Sequence, residues 1–201
     1  MVGEDGATHH GVFDIAYLRC IPNMIVYAPL NEIALRNILY TAQLGLNYPI
    51  AIRYPRGRGV TVDWQKPFEV IEIGTGKCLK HGTKTAVISS GTIGNNVVEA
   101  FSKIENTDAF AHYDFAFVKP LDEKLLHLIF NTYQSILTIE DGTIKGGFGS
   151  AIVEFSKEHC YTTPIKTLGI PDQFVEHGSI AELQKICGID VESLISVLKN
   201  E

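Results

Sequence analysis

The chain has 201 residues, 45% of them hydrophobic and 20% charged, with a formal net charge of −6. That composition suits a soluble globular protein of one large domain or two small ones. Its basic residues cluster no further than Arg53-Tyr54-Pro55-Arg56-Gly57-Arg58, and no apolar run reaches the roughly 18–20 residues of a membrane span. Neither nucleic acid nor a membrane is therefore expected as a partner.

The N-terminus lacks the charged start and apolar core of a signal peptide. Cys20, Cys78, Cys160 and Cys187 form no C-x-x-C pair. A reduced, cytoplasmic setting is expected, with the cysteines acting mostly as small buried hydrophobes and with no zinc site.

In chain order, the first stretch to read is "GEDGATHHG", Gly3 to Gly11. Gly6 and Gly11 bracket Ala7-Thr8-His9-His10, and glycines there let the backbone turn tightly and approach a ligand. Asp5 and His9 lie four residues apart, so both side chains could point into one cleft. A carboxylate and an imidazole placed so can hydrogen-bond a substrate hydroxyl and move its proton near neutral pH. The same residues also suit a polar loop that caps a helix starting at Val12, with Thr8 or Asp5 at the cap. Metal binding is not expected, because adjacent histidines rarely ligate one ion and no third ligand is evident.

A short helix is expected over Val12 to Cys20, then a buried strand "MIVYAP" stopped by Pro29. Asn31 can cap the next helix, with Ile38, Leu39 and Ala42 among its apolar positions. "PIAIRY" (Pro49–Tyr54) reads as a strand ended by Pro55. Two strands and two helices make only half of a doubly wound sheet, so this section is expected to be truncated. In "RYPRGRG", Arg56 could present its guanidinium fork to an anion beside exposed glycine amides, or it could belong to a solvated basic linker. Residues 55–68 lack periodicity and read as a linker; Trp64 could pin it to a domain surface, but simple burial of a large aromatic is the reading preferred.

The section from about residue 69 alternates strands and helices. "GTGKCLKHG" suggests a hairpin edge and "KTAVISSG" a strand. Val97, Phe101 and Ile104 share a helical face. "FAHYDFAFV" (Phe110–Val118) is expected as the next strand, followed by a helix over Glu123 to Phe130 and a strand over Ser135 to Asp141. Gly147 to Glu158 reads as a helix and Pro164 to Ile170 as the last strand. Glu140 to Ile152 has a phosphate-loop outline, strand then glycines then helix. It lacks the third glycine of a dinucleotide site and the lysine of a Walker loop, so a packing role is expected, with Ser150 helping to cap. His177 is expected to act at a helix start or an interface. Ser179 and Glu182 form a capping box, Gly188 suits a C′ position, and Asp190 can cap a helix whose stripe is Val191, Leu194, Ile195 and Leu198.

"GEDGATHHGVFDIAYLRCIPNMIVYAP" and "PIAIRYPRG", with "FVKPLDE", "GGFGSAI" and "LGIPDQFVEHG" downstream, resemble the 1-deoxy-D-xylulose-5-phosphate synthase family of transketolase-like thiamine diphosphate enzymes. Transketolases proper share a D-G-x-T-H element but not "YLRCIPNM". The resemblance covers essentially the whole chain. It implies an α/β fold with the C-terminal part of a truncated pyrimidine-binding domain at 1–60 and a linker at 61–68. A complete transketolase C-terminal-like domain would follow at 69–201, with a mostly parallel five-stranded sheet.

The reaction implied joins pyruvate to glyceraldehyde 3-phosphate with loss of CO2, for isoprenoid, thiamine and pyridoxal biosynthesis. By the resemblance, His9 and Asp5 are catalytic, contacting and orienting the acceptor's hydroxyl region, and Arg56 grips its phosphate. His10 receives no role. Thiamine diphosphate and Mg2+ belong to the parent enzyme, a homodimer, and the residues that hold them are expected upstream. The chain alone is expected to bind no cofactor and to be inactive. The alternatives are a freestanding assembly module of the same fold, or a piece of a transketolase or of a 2-oxoacid dehydrogenase β subunit.

Overall fold

The computed structural model describes residues 1–57, 59 and 65–200, so the expectation for Trp64 lies outside the described residues. The larger sheet is centred on β4 (Thr85–Ser90), all six residues of which are buried. It pairs in parallel with β5 (Phe110–Asp114) and with β7 (Ser135–Thr143), and β7 pairs in parallel with β8 (Ile165–Ile170). Near-continuous apolar runs of this kind are what strands covered on both faces require. β3 (Lys77–Lys80) joins the far edge antiparallel to β5, giving the order β3-β5-β4-β7-β8. The sheet is therefore mixed rather than mostly parallel. The reason lies in β3, a short "KCLK" strand whose lysines blunt an exposed edge.

Period-two alternation along β4 sends Val87 to one face and Ala86 and Ile88 to the other. On the first face α3 (Gly94–Ser102) and α7 (Val191–Lys199) cover the sheet through Val97, Leu194 and Leu198. On the second, α4 (Glu123–Thr132) and α5 (Phe148–Glu158) do so through Leu126, Ile129 and Ile152, all fully buried. Each such side chain contributes about 1.5–3 kcal/mol by leaving water.

The N-terminal section begins with α1 (Asp14–Arg19), whose N-cap position holds Phe13 with no side-chain cap. Neither Thr8 nor Asp5 caps it. β1 (Ile25–Tyr27) and β2 (Ile50–Ile52) pair in parallel across α2 (Glu32–Gln43), which Asn31 caps by accepting from the Ala34 amide at 3.0 Å. Ile38 is fully buried, but Leu39 is 47% exposed, because one helical step turns it about 100° from the buried stripe.

The stretch expected as one strand over Phe110–Val118 is two. β5 ends at Asp114, the chain bends, and β6 (Phe117–Lys119) pairs antiparallel with β1 in the smaller sheet, β2-β1-β6. The bend is fixed on both sides: the Phe115 amide donates to Ser89 O at 2.8 Å, and the Ala28 amide donates to Ala116 O at 2.7 Å.

Near the C-terminus α6 (Ile180–Ile186) carries the Ser179–Glu182 capping box, and Gly188 takes φ 69° at C′. Asp190 stands at the N-cap of α7 without making a cap bond. The cysteines depart from expectation. Cys20, Cys78 and Cys160 are exposed and Cys187 is half-buried, since they sit at helix ends and on the edge strand rather than in the core. Among the described residues no helix is long and apolar enough to cross a membrane.

Candidate active site

The Gly3–Gly11 stretch coils on itself. The amides of His9 and His10 both donate to Gly6 O, at 3.0 and 3.1 Å, and the Gly6 amide donates to Gly3 O. Gly3, Gly6 and Gly11 have φ of 101°, 74° and 64°, in the left-handed region that favours glycine. Asp5 and His9 are both exposed on this turn. Thr8 Oγ1 lies 2.9 Å from His9 Nδ1, which fixes the ring and leaves Nε2 without a partner among the described residues.

The "RYPRG" segment leaves β2 toward this turn. Arg56 Nη1 donates to Asp5 Oδ2 at 2.8 Å, and both side chains are at least half exposed. A cleft of about 310 Å³ opens here, lined by Arg56, Gly3, Glu4, Gly57 and Ser179 among others. The structure thus brings Asp5 and Arg56 into direct contact, with His9 on the same turn as Asp5. His9 itself is not among the residues that line this cleft.

Arg53, three residues earlier in the same motif, anchors the segment. Its Nε donates to both Asp14 oxygens, at 3.0 and 2.8 Å, and its Nη2 donates to Asp141 O. Arg53 and Asp14 are both mostly shielded, with side chains 16% and 18% exposed. This bifurcated, charge-assisted bond ties the end of β2 to α1.

His10, given no role from sequence, is 3% exposed and makes bonds in two directions. The Gly3 amide donates to its Nδ1 at 3.3 Å, so the ring's proton sits on Nε2, which reaches Val175 O and Glu176 O, each at 3.1 Å. The Gly178 amide donates to Gly3 O alongside. His10 thereby fastens the Asp5–His9 turn to the 175–178 loop of the larger section. His177 is exposed on that loop, and a Cβ on Gly6 would lie 3.6 Å from its Cβ, so it sits at this interface. Two adjacent histidines were the sequence signal, but nothing in it told which one faces inward.

The glycine-rich loop before α5 serves the fold. The amides of Phe148 and Gly149 both donate to the Glu140 carboxylate at 2.8 Å, so Glu140 caps α5 from the neighbouring strand. A Cβ on Gly147 would meet Thr143 O at 2.1 Å and Glu140 Oε2 at 2.3 Å. Ser150 accepts from the Gly146 amide and donates to Ile144 O, tying the loop to itself. Burial pushes the Glu140 carboxyl up to about 7, against the two amides and Arg53 and Arg19 that pull it down. The anion-binding end of the helix is thus filled by the chain's own carboxylate. Among the described residues no three His, Cys, Asp or Glu side chains gather to hold a metal. A diphosphate and its magnesium ion do not fit the residues at this loop.

A family model described as transketolase, C-terminal domain, matches residues 74–194, and one described as transketolase, pyrimidine binding domain, matches residues 1–60. The chain is 52% identical to a 1-deoxy-D-xylulose-5-phosphate synthase of Parabacteroides distasonis, over 100% of this chain and 32% of that protein. It is 54% identical to the one from Bacteroides thetaiotaomicron, over 98% of this chain and 31% of that protein. The chain spans about a third of the length of these curated relatives. Among solved structures, a split gene transketolase described as an inactive β4 tetramer matches with a TM-score of 0.86 at 27% identity, covering 98% of this chain and 64% of that one. A transketolase from Campylobacter jejuni shares the fold, with a TM-score of 0.73 at 19% identity over 100% of this chain and 30% of that one. With a transketolase C-terminal domain at residues 74–194 and 1-deoxy-D-xylulose-5-phosphate synthases as homologues over its whole length, the chain belongs to the transketolase family.

Proposed function

We propose that this chain is the acceptor-holding part of a 1-deoxy-D-xylulose-5-phosphate synthase, which condenses pyruvate with glyceraldehyde 3-phosphate and releases CO2. The observation that carries this reading is the 2.8 Å contact between Arg56 and Asp5 at an open cleft, on the turn that bears His9. Among the described residues only one nitrogen of the Arg56 fork is engaged, so a phosphate dianion can take the remaining donors and draw the guanidinium from Asp5. Asp5 is then released to accept from the acceptor's hydroxyl. His9 Nε2 is the atom at which a proton is exchanged with that hydroxyl or carbonyl. Gripping the phosphate positions the aldehyde through forces remote from the reacting carbon.

In this reading residues 1–60 belong to the pyrimidine-binding domain, 61–68 link, and 69–201 form the C-terminal domain of a cytoplasmic homodimeric enzyme. Thiamine diphosphate and Mg2+ are held by residues that this chain does not supply, and the chain alone is inactive. The match to a split gene transketolase described as an inactive β4 tetramer supports that view.

The test is a chimera in which this chain replaces the matching third of the Parabacteroides distasonis synthase. The chimera is expected to release CO2 from pyruvate only when an acceptor aldehyde is present, and to use glyceraldehyde 3-phosphate at lower concentration than unphosphorylated glyceraldehyde. Arg56→Ala should raise the KM for glyceraldehyde 3-phosphate by about tenfold or more, the cost of a lost charge-assisted contact, and leave unphosphorylated glyceraldehyde unaffected. A folded, dimeric chimera without activity, or an equal effect on both acceptors, would overturn the proposal.

A further inference from the structure

Between the start of α2 and β3 lies a second cleft, of about 290 Å³, whose described lining residues all differ from those around Arg56. Leu30, Ile33, Ala34, Val70 and Leu79 supply apolar lining. The uncharged polar side chains here already have partners. Asn31 accepts from the Ala34 amide, Asn37 accepts from the Glu69 amide, and Thr75 donates to Glu72 O.

Asp114 does not. It is the last residue of β5, is only 6% exposed, and borders the cleft, yet its Oδ1 is buried with no hydrogen-bond partner. Lys77 faces it in the strand register and is the single cation lining the cleft among the described residues, but the two form no ion pair. Glu69 and Glu72 add further negative charge to the lining. A buried carboxylate oxygen without a donor is costly, and native proteins rarely leave one so unless something else supplies the donor.

We propose that this cleft binds a small organic cation, a primary ammonium on a short apolar stem, with its head on Asp114 and its stem against Ile33 and Val70. The volume stands at the lower end for ligand pockets, which limits the occupant to a small molecule. Among the described residues no three acids or other metal-ligating side chains come together closely enough here to hold an ion, so an organic head group with its own N–H donors is the better match than a bare ion. Burial pushes the Asp114 carboxyl up to about 7, with Lys77 pulling it down, so it is best probed at pH 8, where it is ionised.

The test uses the full chain at pH 8. Titration with n-butylammonium chloride should move the amide NMR signals of Val70, Lys77 and Asp114 and saturate in the millimolar range, as expected for so few heavy atoms. n-Butanol and sodium chloride at matched concentrations should not reproduce the shifts. Asp114→Asn, which keeps the shape and removes the charge, should weaken binding by about tenfold or more. The proposal is overturned if the shifts do not saturate, if butanol matches the amine, or if Asp114→Asn binds as well. Should that variant fail to fold, the comparison of amine, alcohol and salt on the unaltered chain decides.

Discussion

Replacing His10 by Ala removes an acceptor from the Gly3 amide and a donor from the carbonyls of Val175 and Glu176, the first two buried and the third part-buried. Leaving such groups unpaired costs roughly 1–3 kcal/mol, so His10→Ala should lower the urea midpoint accordingly and speed hydrogen exchange at Gly3 and Gly178. Gln at the same position can still donate toward 175 and 176, and is expected to recover part of the loss. Unchanged exchange at both glycines would show that the loops are held by other contacts. At this scale the sequence was legible unevenly. The family resemblance assigned Asp5 and Arg56 to different groups of one acceptor, while their direct contact was visible only in the structure. His10 could not be assigned, because adjacent side chains on a tight turn point in different directions and residue type does not say which is inward. Asp114 was equally silent, since an acid within the apolar run Phe110–Val118 shows its lack of a partner only in three dimensions.

Among the elements, α5 shows a helix start that no local cap supplies. Gly147 occupies the N-cap position without a side chain, and Glu140, seven residues upstream on β7, takes the two free amides. Glu140→Gln keeps one acceptor and should cost roughly 1 kcal/mol at pH 4.5 and below, where Glu140 is protonated. It should also change the pH dependence. Burial raises Glu140 from 4.5 to about 7, so the folded state holds the proton that the unfolded chain gives up. That contribution is complete below pH 4.5 and is lost as pH rises through 7. His112, 1% exposed and bonded through Nε2 to Ser89, runs the other way: burial lowers it from 6.5 to about 4, so its contribution is present above pH 6.5 and lost as pH falls through 4. Melting temperatures taken from pH 5 to pH 7 should therefore fall less in Glu140→Gln than in the unaltered chain, while the loss below pH 5 due to His112 persists. Parallel curves for the two proteins would sink this assignment. The helix itself was readable from its apolar period, and so was the packing role of its glycines. The carboxylate that caps it was not, because a cap reaching across from a strand leaves no fixed spacing to read. The same limit explains the strand expected over Phe110–Val118: β-rich composition continues through the bend, and only pairing with two different sheets divides it.

At the scale of the molecule, β6 decides how the two sections behave. Phe117 lies beyond β5 in sequence, yet it is 1% exposed in a cluster with Ile25, Tyr27 and Ile38 of the first section and meets the Tyr27 ring edge-on at 4.6 Å. The segment after the linker is stitched in as well: the Glu69 and Ile71 amides donate to Asn37 Oδ1 and Thr41 Oγ1 of α2. Lys119 Nζ closes the same seam on Arg19 O and Ile21 O. A boundary that composition places in the linker is thus bridged by a strand, a ring pair and side-chain bonds, so the sections should unfold together. Phe117→Ala removes the ring at the centre of that seam and is expected to cost roughly 3–5 kcal/mol. If the coupling holds, the loss appears as a lower temperature for one transition, with calorimetric and van't Hoff enthalpies still equal and with amides of β4 and β7 exchanging faster along with those of β1. If instead β1 and β2 open at a lower temperature while β4 and β7 keep their protection, the smaller sheet is an independent unit and the shared strand does not unite the fold.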